Sequence, residues 1–549
     1  MDGTTAIGKI LKAEGIEFVT WFPDNLGVEG AAAQGIRSIR TRTERVAVGI
    51  ADGYTRASFG HHHGVVFVQF GPGSENAFAG IAQAYADSVP ILFMPGGYER
   101  RDLKRPQFIA QNSYRAISKS IDIVHFADQI PTLMRRAFVY LKTGRPGPVI
   151  LEIPLDVFTE EFDDALFQYE PVKGWKPAGD PSDIKRTAKA LINAETPVIR
   201  AGNGVLHADA CNELRELAEL LQIPVYTTMQ GKSAFPENHP LALGCGGVTR
   251  PKMVVHFQNK ADLVFAIGSS CTTENYTTPI PAGTPIIQST IDEVDISKDY
   301  AISDAVIGDA KLVLQQLIDE VRKVLGPSGK KSGNGVAREI QAVKDEWLKE
   351  WMPKLTSDEI PINPNRVVWE LNNILDKNKS IVTAEAGSPR NISVTFYQPT
   401  TPGGFIGWGK TTTLGGSLGF AMGAKMANPD KTVVAIMGDA GIGMAGLDLE
   451  TSTRERIPIL CIILNNQELS GVQAVHPTAT KLYNAAYAGG DYVKIAEAVG
   501  FHAERVDKPE GIAPAIGRAK KVVTNGQSAL IDIIGRLDMD FCSYKELLR

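Results

Sequence analysis

Short apolar runs recur along the chain, each closed by glycine, proline, asparagine or aspartate and followed by a stretch of helical spacing. Runs of this kind predict strands buried on both faces, and their alternation with helices predicts parallel sheets covered by helices. In the first stretch the predicted strands are residues 18–22, 64–69, 91–94 and 149–153. Residues 171–183 are polar and broken by prolines, so they read as a linker. The second stretch, 184–325, has predicted strands at 197–200, 224–227, 263–267 and 285–288. Residues 326–335 are rich in Gly and Ser and predict a flexible connection. In the third stretch, from 361 onward, the runs 432–437 and 457–464 flank a helical segment at 444–456. The expected fold class is α/β: three doubly wound parallel-sheet domains at 1–170, 184–325 and 361–549.

Composition narrows the function classes. A formal net charge of −5 argues against a nucleic-acid partner held on a basic face. The apolar runs are strand-sized, so no membrane span is expected. The start, Met1-Asp2-Gly3-Thr4, lacks the basic-then-apolar layout of a signal peptide. Five cysteines without paired spacing fit free thiols in a reducing compartment, so a cytoplasmic location is expected. His61-His62-His63 invites a metal reading, but adjacent side chains do not converge on one ion, and a solvated loop is expected.

The most informative stretch is Gly438-Asp439-Ala440-Gly441 together with Asn465-Asn466. Each segment ends a buried strand, so both emerge at the carboxyl edge of one parallel sheet, where such sheets bind ligands. Asp439 and Asn466 offer hard oxygens that suit Mg²⁺ or Ca²⁺. Gly438, Ala440 and Gly441 let backbone N–H groups approach a phosphate at a helix start. In the first stretch Glu44 opens a helix whose following positions are small and apolar. A carboxyl placed there is partly desolvated and its pKa should rise. The ordinary alternative is an acid stabilised by the helix dipole.

These segments resemble thiamine diphosphate enzymes, in the branch of 2-oxo-acid decarboxylases and acetolactate synthases. The diphosphate-and-metal motif is usually Gly-Asp-Gly there, and Gly438-Asp439-Ala440 is a variant of it. The resemblance covers nearly the whole chain. It implies a pyrimidine-binding domain, a central Rossmann-like domain, and a diphosphate- and metal-binding domain. It further implies Glu44 as the catalytic acid on the aminopyrimidine ring, and Asp439, Asn466 and the Glu468 carbonyl as Mg²⁺ ligands. Gly71, Pro72 and Asn76 match the family's Gly-Pro-Gly-x-x-Asn turn at the cofactor cleft. By the same resemblance, cofactor contacts fall to Gly387, Ser388, Thr413, Gly438, Ala440, Gly441 and Ser470. By position Leu414 is the aliphatic wedge between the two cofactor rings; the alternative is a core leucine at a helix start.

There are departures from the family pattern. Thr43 stands before Glu44 where many relatives have His. Pro389 has no N–H to offer a phosphate. Arg390 beside it faces either an anion or solvent. The loop at Asp24-Asn25 is closer to that of decarboxylases acting on phosphono- and sulfo-pyruvate. Asp24, Asn25, Gln111 and His476 are the candidate substrate residues, with a surface role the alternative for His476. The resemblance implies a small-molecule substrate and a homo-oligomer, dimer or tetramer, with active sites at the subunit interface. An acetolactate-synthase-like carboligase is expected first. A simple decarboxylase or a 2-hydroxyacyl-CoA lyase is the alternative. A catalytically silent relative is the reading from another class, and Glu44 argues against it. FAD in the central domain is possible by analogy but not favoured, because no motif demands it.

Overall fold

The computed structural model describes residues 1–102, 108–330, 335–411, 413–469 and 471–544. Each predicted block forms one six-stranded sheet in which every strand pair is parallel. The first contains β1 (Phe18–Phe22), β2 (Arg37–Arg40), β3 (Val65–Val68), β4 (Leu92–Gly97), β5 (Ser120–Ile123) and β6 (Val149–Pro154), in the order β2-β1-β3-β4-β6-β5. The second contains β7 (Pro197–Ala201), β8 (Val225–Thr228), β9 (Ala242–Gly246), β10 (Leu263–Ile267), β11 (Ile286–Thr290) and β12 (Asp304–Ile307), in the order β12-β11-β10-β7-β8-β9. The third contains β13 (Ser380–Ala384), β14 (Phe405–Ile406), β15 (Thr432–Gly438), β16 (Leu460–Asn465), β17 (His502–Val506) and β18 (Ala529–Ile534), in the order β14-β13-β15-β16-β18-β17. Strand for strand, the third sheet repeats the order of the first. No helix among the described residues is long and apolar enough to cross a membrane.

The central strands read as continuous apolar runs because both faces are covered. Val65–Val68 and Leu460–Asn465 are buried at every position. In each sheet the chain direction reverses at one point: between β1 and β3, between β7 and β10, and between β13 and β15. The carboxyl ends of these strand pairs diverge and leave a crevice. The first sheet therefore presents the Asp24-Asn25 loop beside the Gly71-Pro72 turn, and the third presents Gly387 beside Asp439.

The first and third domains meet through two helices, Glu44–Ala57 and Gly416–Ala427. The contact is backbone against backbone. A Cβ built on Gly53 would lie 2.4 Å from the Phe420 carbonyl oxygen, and one on Gly419 would lie 2.8 Å from Gly49 Cα. No real Cβ contact is that close, so these positions must be glycine for the helices to touch. Arg56, on the first helix, donates to the Gly407 carbonyl (3.0 Å) and to Asp87 Oδ2 (2.9 Å), and its guanidinium lies over the Phe420 ring.

The seam gives a direct test. Gly53→Ala should destabilise the chain by about 1–3 kcal/mol despite alanine's better helix propensity, because the new methyl meets backbone. Gly517→Ala is the control: it lies in helix Ile512–Thr524 with nothing within 4 Å of a Cβ, and should be neutral or stabilising. Urea unfolding midpoints check both, and equal effects would remove the special status of the seam.

Candidate active site

The crevice of the third sheet is a cleft of about 420 Å³. The exit of β13 brings Gly387 and Ser388 to it. The exit of β15 brings Gly438, Asp439, Ala440 and Gly441, and that of β16 brings Asn466 and Glu468. Leu414, just before helix Gly416–Ala427, lines the same cleft. Gly387 has φ +86° and open space where a side chain would stand, so a bulky anion can approach its backbone. It also caps helix Ser388–Phe396, whose first N–H groups face the crevice end of β13.

The three nominated metal ligands converge. The Asp439 carboxylate is buried, which pushes its pKa up to about 6, although Tyr492 O–H (2.9 Å) and Asn466 N–H (3.1 Å) both donate to it. In one orientation the Asn466 amide nitrogen donates to Asp439 Oδ2 (2.9 Å) and to the Glu468 carbonyl (3.1 Å). In the other, the amide oxygen takes that place and three oxygens face one another without a proton between them. Their separations suit the edge of an octahedron of oxygens around a small divalent cation, about 2.9 Å for bonds of about 2.1 Å. A cation there would also reverse the penalty on the buried Asp439 charge.

Glu44 lies at the start of its helix, 4% exposed, with Thr43 as the capping residue. Burial raises its pKa, with the Asn76 amide (3.4 Å from Oε1) opposing and the Asp448 charge adding to the rise. Gly71, Pro72 and Asn76 stand on the same side, at the start of helix Pro72–Ala86. Among the described residues, however, none lining the third-sheet cleft comes from the first domain. Within one chain, Glu44 is therefore not among the residues that line the cleft of Asp439 and Asn466.

Other nominated residues fall elsewhere. Thr413 is turned to the first domain, where its N–H donates to Gln83 Oε1 (3.2 Å) and its hydroxyl to the Ala79 carbonyl (3.4 Å). Asn25 is buried: its amide donates to the carbonyls of Val68 (2.8 Å) and Met94 (3.2 Å) and accepts from Gly27 N–H (2.9 Å). It thus braces the loop, while Asp24 is exposed. Gln111 is half-buried, and its N–H donates to Glu152 Oε2 (2.9 Å). His476 is exposed between two short helices. Ser470 lies outside the described residues.

Some participants escaped the sequence reading. Arg45, next to Glu44, donates to the Leu414 carbonyl (2.5 Å) and so ties the first domain to the proposed wedge. Glu385 is fully buried directly after β13. Its carboxylate accepts from the N–H groups of Ala386 (2.9 Å), Gly415 (3.1 Å) and Ser417 (3.4 Å), yet burial holds its pKa at about 7. An acid closing an apolar strand was the available signal. A second cavity, also about 420 Å³, opens between the first and central domains at the central switch point. Gly202 and Asn203 after β7, Gly268 after β10, and Asp87 and Arg145 of the first domain line it.

Three linked parallel sheets, with a phosphate-ready cleft at the switch point of the last, define a class of α/β enzymes that carry a diphosphate-bearing cofactor. The chain belongs to the thiamine pyrophosphate enzyme family. The N-terminal TPP binding domain of these enzymes matches residues 1–123, the central domain 184–317, and the C-terminal TPP binding domain 385–533. A probable acetolactate synthase large subunit of Methanocaldococcus jannaschii is 32% identical, over 97% of this chain and 92% of that protein. The acetolactate synthase isozyme 3 large subunit of Escherichia coli K12 is 28% identical, over 97% and 94%. A glyoxylate carboligase of Escherichia coli O157:H7 is 30% identical, over 94% and 89%. The protein is thus a thiamine diphosphate-dependent enzyme.

Glu385 makes a pH prediction for the protein without cofactor. Its folded pKa is raised above the unfolded value, so the stability it contributes is complete below about 4.5 and is lost as pH rises through about 7. Glu385→Gln cannot show this dependence. Denaturant titrations from pH 4.5 to 8 should find the variant gaining on wild type as pH rises. A constant difference would mean that Glu385 does not titrate in this range.

Proposed function

We propose that the protein is a Mg²⁺- and thiamine diphosphate-dependent enzyme that breaks and forms C–C bonds on a 2-oxo acid, with carboligation as its main outcome. The observation that carries the cation is the convergence of Asp439, Asn466 and the Glu468 carbonyl beside a phosphate-ready helix start. Carboligation is favoured by the relatives, which are named acetolactate synthases and a glyoxylate carboligase over nearly the whole chain. When bound, thiamine diphosphate supplies an acidic carbon that adds to a carbonyl and holds the electron pair left when CO₂ departs.

The chain's residues do the rest. Asp439, Asn466 and the Glu468 carbonyl hold the cation. Gly387, Ser388 and the Gly438–Gly441 turn offer backbone N–H groups to the diphosphate. Leu414 lines the cleft and would be the aliphatic side chain against the rings of a bound cofactor. Glu44, whose pKa burial raises above the ordinary carboxylate value, is the group placed to exchange a proton with the aminopyrimidine nitrogen. Asp24, on the exposed loop beside the Gly71-Pro72 turn, is a first-domain residue open to substrate.

Because no described first-domain residue lines the third-sheet cleft, Glu44 is assigned to the cleft of a second chain, and the active unit to a dimer or a multiple of it. Exposed apolar side chains support this. Phe78 and Tyr85 flank the Asn76 side of the first domain, and Met444 and Leu447 extend from the Asp439 helix. The central cavity has the size of a nucleotide site at a switch point.

Two experiments test the reading. Purified protein with Mg²⁺ and thiamine diphosphate should convert at least one 2-oxo acid in a panel to a longer 2-hydroxy-2-oxo skeleton with CO₂ release. CO₂ with only the shortened aldehyde would favour simple decarboxylation, and no turnover of any member would sink the enzymatic assignment. In the second, Glu44→Gln and Asp439→Ala chains should each be inactive alone. Mixed after dissociation and reassembly, they should recover about a quarter of wild-type activity, because half the dimers then hold one intact composite site. No recovery in confirmed mixed dimers would mean that each site is built within one chain.

A further inference from the structure

Arg390 is the third residue of helix Ser388–Phe396 and is 4% exposed. Its guanidinium lies on the wall of the third-sheet cleft, with its carbon 4.8 Å from the centre of the Tyr276 ring. Nε donates to Asn391 Oδ1 (3.1 Å), and Nη1 is buried without a partner. Among the described residues no carboxylate pairs with it. Arg536, on the same wall, is paired with Glu359 (3.0 Å) and Asp538 (3.4 Å). An arginine stays charged even where burial lowers its pKa, as it does here, and a buried charge without a counter-ion is costly. Such a group calls for an anion that the chain itself does not supply.

The neighbouring residue says which anion. Helix Ser388–Phe396 begins at the crevice edge, but its second residue is Pro389, which has no N–H. The helix start therefore offers one donor fewer to a phosphate than its position would allow. One residue later stands a guanidinium with donors to spare. Resting on the cofactor reading above, we propose that Arg390 binds an oxyanion of the cofactor's diphosphate and takes over the role of the donor that Pro389 lacks. Tyr276, reaching in from the central domain, keeps the guanidinium plane against the cleft wall. The cleft then matches its ligand in two ways: a cation held by Asp439 and Asn466 on one side and a fixed guanidinium on the other.

Calorimetry on the full chain with Mg²⁺ tests this, using Arg390→Gln and Arg390→Lys and titrating thiamine diphosphate and thiamine monophosphate. Arg390→Gln should bind thiamine diphosphate roughly ten- to hundred-fold more weakly, as expected for losing a charge-assisted hydrogen bond. Binding of the monophosphate should change less, and Arg390→Lys should lie between wild type and Gln. Without cofactor, Arg390→Gln should unfold at the same temperature as wild type or higher, because an unpaired charge has gone. Three outcomes would overturn the inference: unchanged thiamine diphosphate affinity; equal losses for both ligands with a less stable apo form, which marks a structural residue; or intact cofactor affinity with a raised KM for the 2-oxo acid, which assigns the guanidinium to the substrate carboxylate. A wild-type chain that binds no thiamine diphosphate would overturn the cofactor reading as well, and Arg390 variants would not be needed to see it.

Discussion

The backbone contact between helices Glu44–Ala57 and Gly416–Ala427 is the constraint on which the arrangement depends. Glycines 49, 53, 419 and 423 let the two helices approach until main chain meets main chain. That approach fixes the first domain on the third with little room to slide, since any shift drives a carbonyl into a Cα. It also sets where the two helices begin. Glu44 opens one, and Leu414 stands just before the other. Arg45 and Gln83 then reach across and hold the Leu414 segment by its carbonyl and by the Thr413 N–H. The Leu414 segment and the start of the Glu44 helix are thus parts of one rigid joint.

Electrostatics around the cleft is arranged by burial more than by pairing. Asp439, Glu385 and Glu44 are carboxyls whose pKa values are raised mainly by desolvation. They serve different ends. Asp439 sits among oxygens and gains from a cation. Glu385 is occupied by three backbone N–H groups and locks the exit of β13 to the start of helix Gly416–Ala427. Glu44 has one long side-chain contact, from the Asn76 amide. The same physical push acts on three carboxyls that differ in what donates to each.

The fold was legible because fully covered parallel strands are apolar at every position, and such runs stand out with their Gly and Asn exits. The ends of β15 and β16 were legible as one sheet edge for the same reason, since Asp439 and Asn466 each follow a buried run, and the structure brings them together. What could not be read were contacts that depend on facing elements. Asn25 looked like a substrate residue because it lies in a loop, but it turns inward to carbonyls of β3 and β4. Thr413 looked like a cofactor contact from its neighbours, but it is held by helix Pro72–Ala86. The central cavity left no motif, because turns such as Gly202-Asn203-Gly204 are ordinary until two domains close over them.

The first and third sheets share one strand order, and the two seam helices occupy equivalent places, each after the first edge strand of its sheet. The seam is therefore nearly self-complementary: two bodies of one topology facing each other within a single polypeptide, like a covalent pseudo-dimer. In a true dimer of identical subunits, every change at the interface appears twice. Here the chain has broken that rule, because the two bodies are encoded separately. A side chain can be kept in one body and lost from the other. The price of such specialisation is that neither body is sufficient, and catalytic competence becomes a property of how the halves are matched rather than of either half.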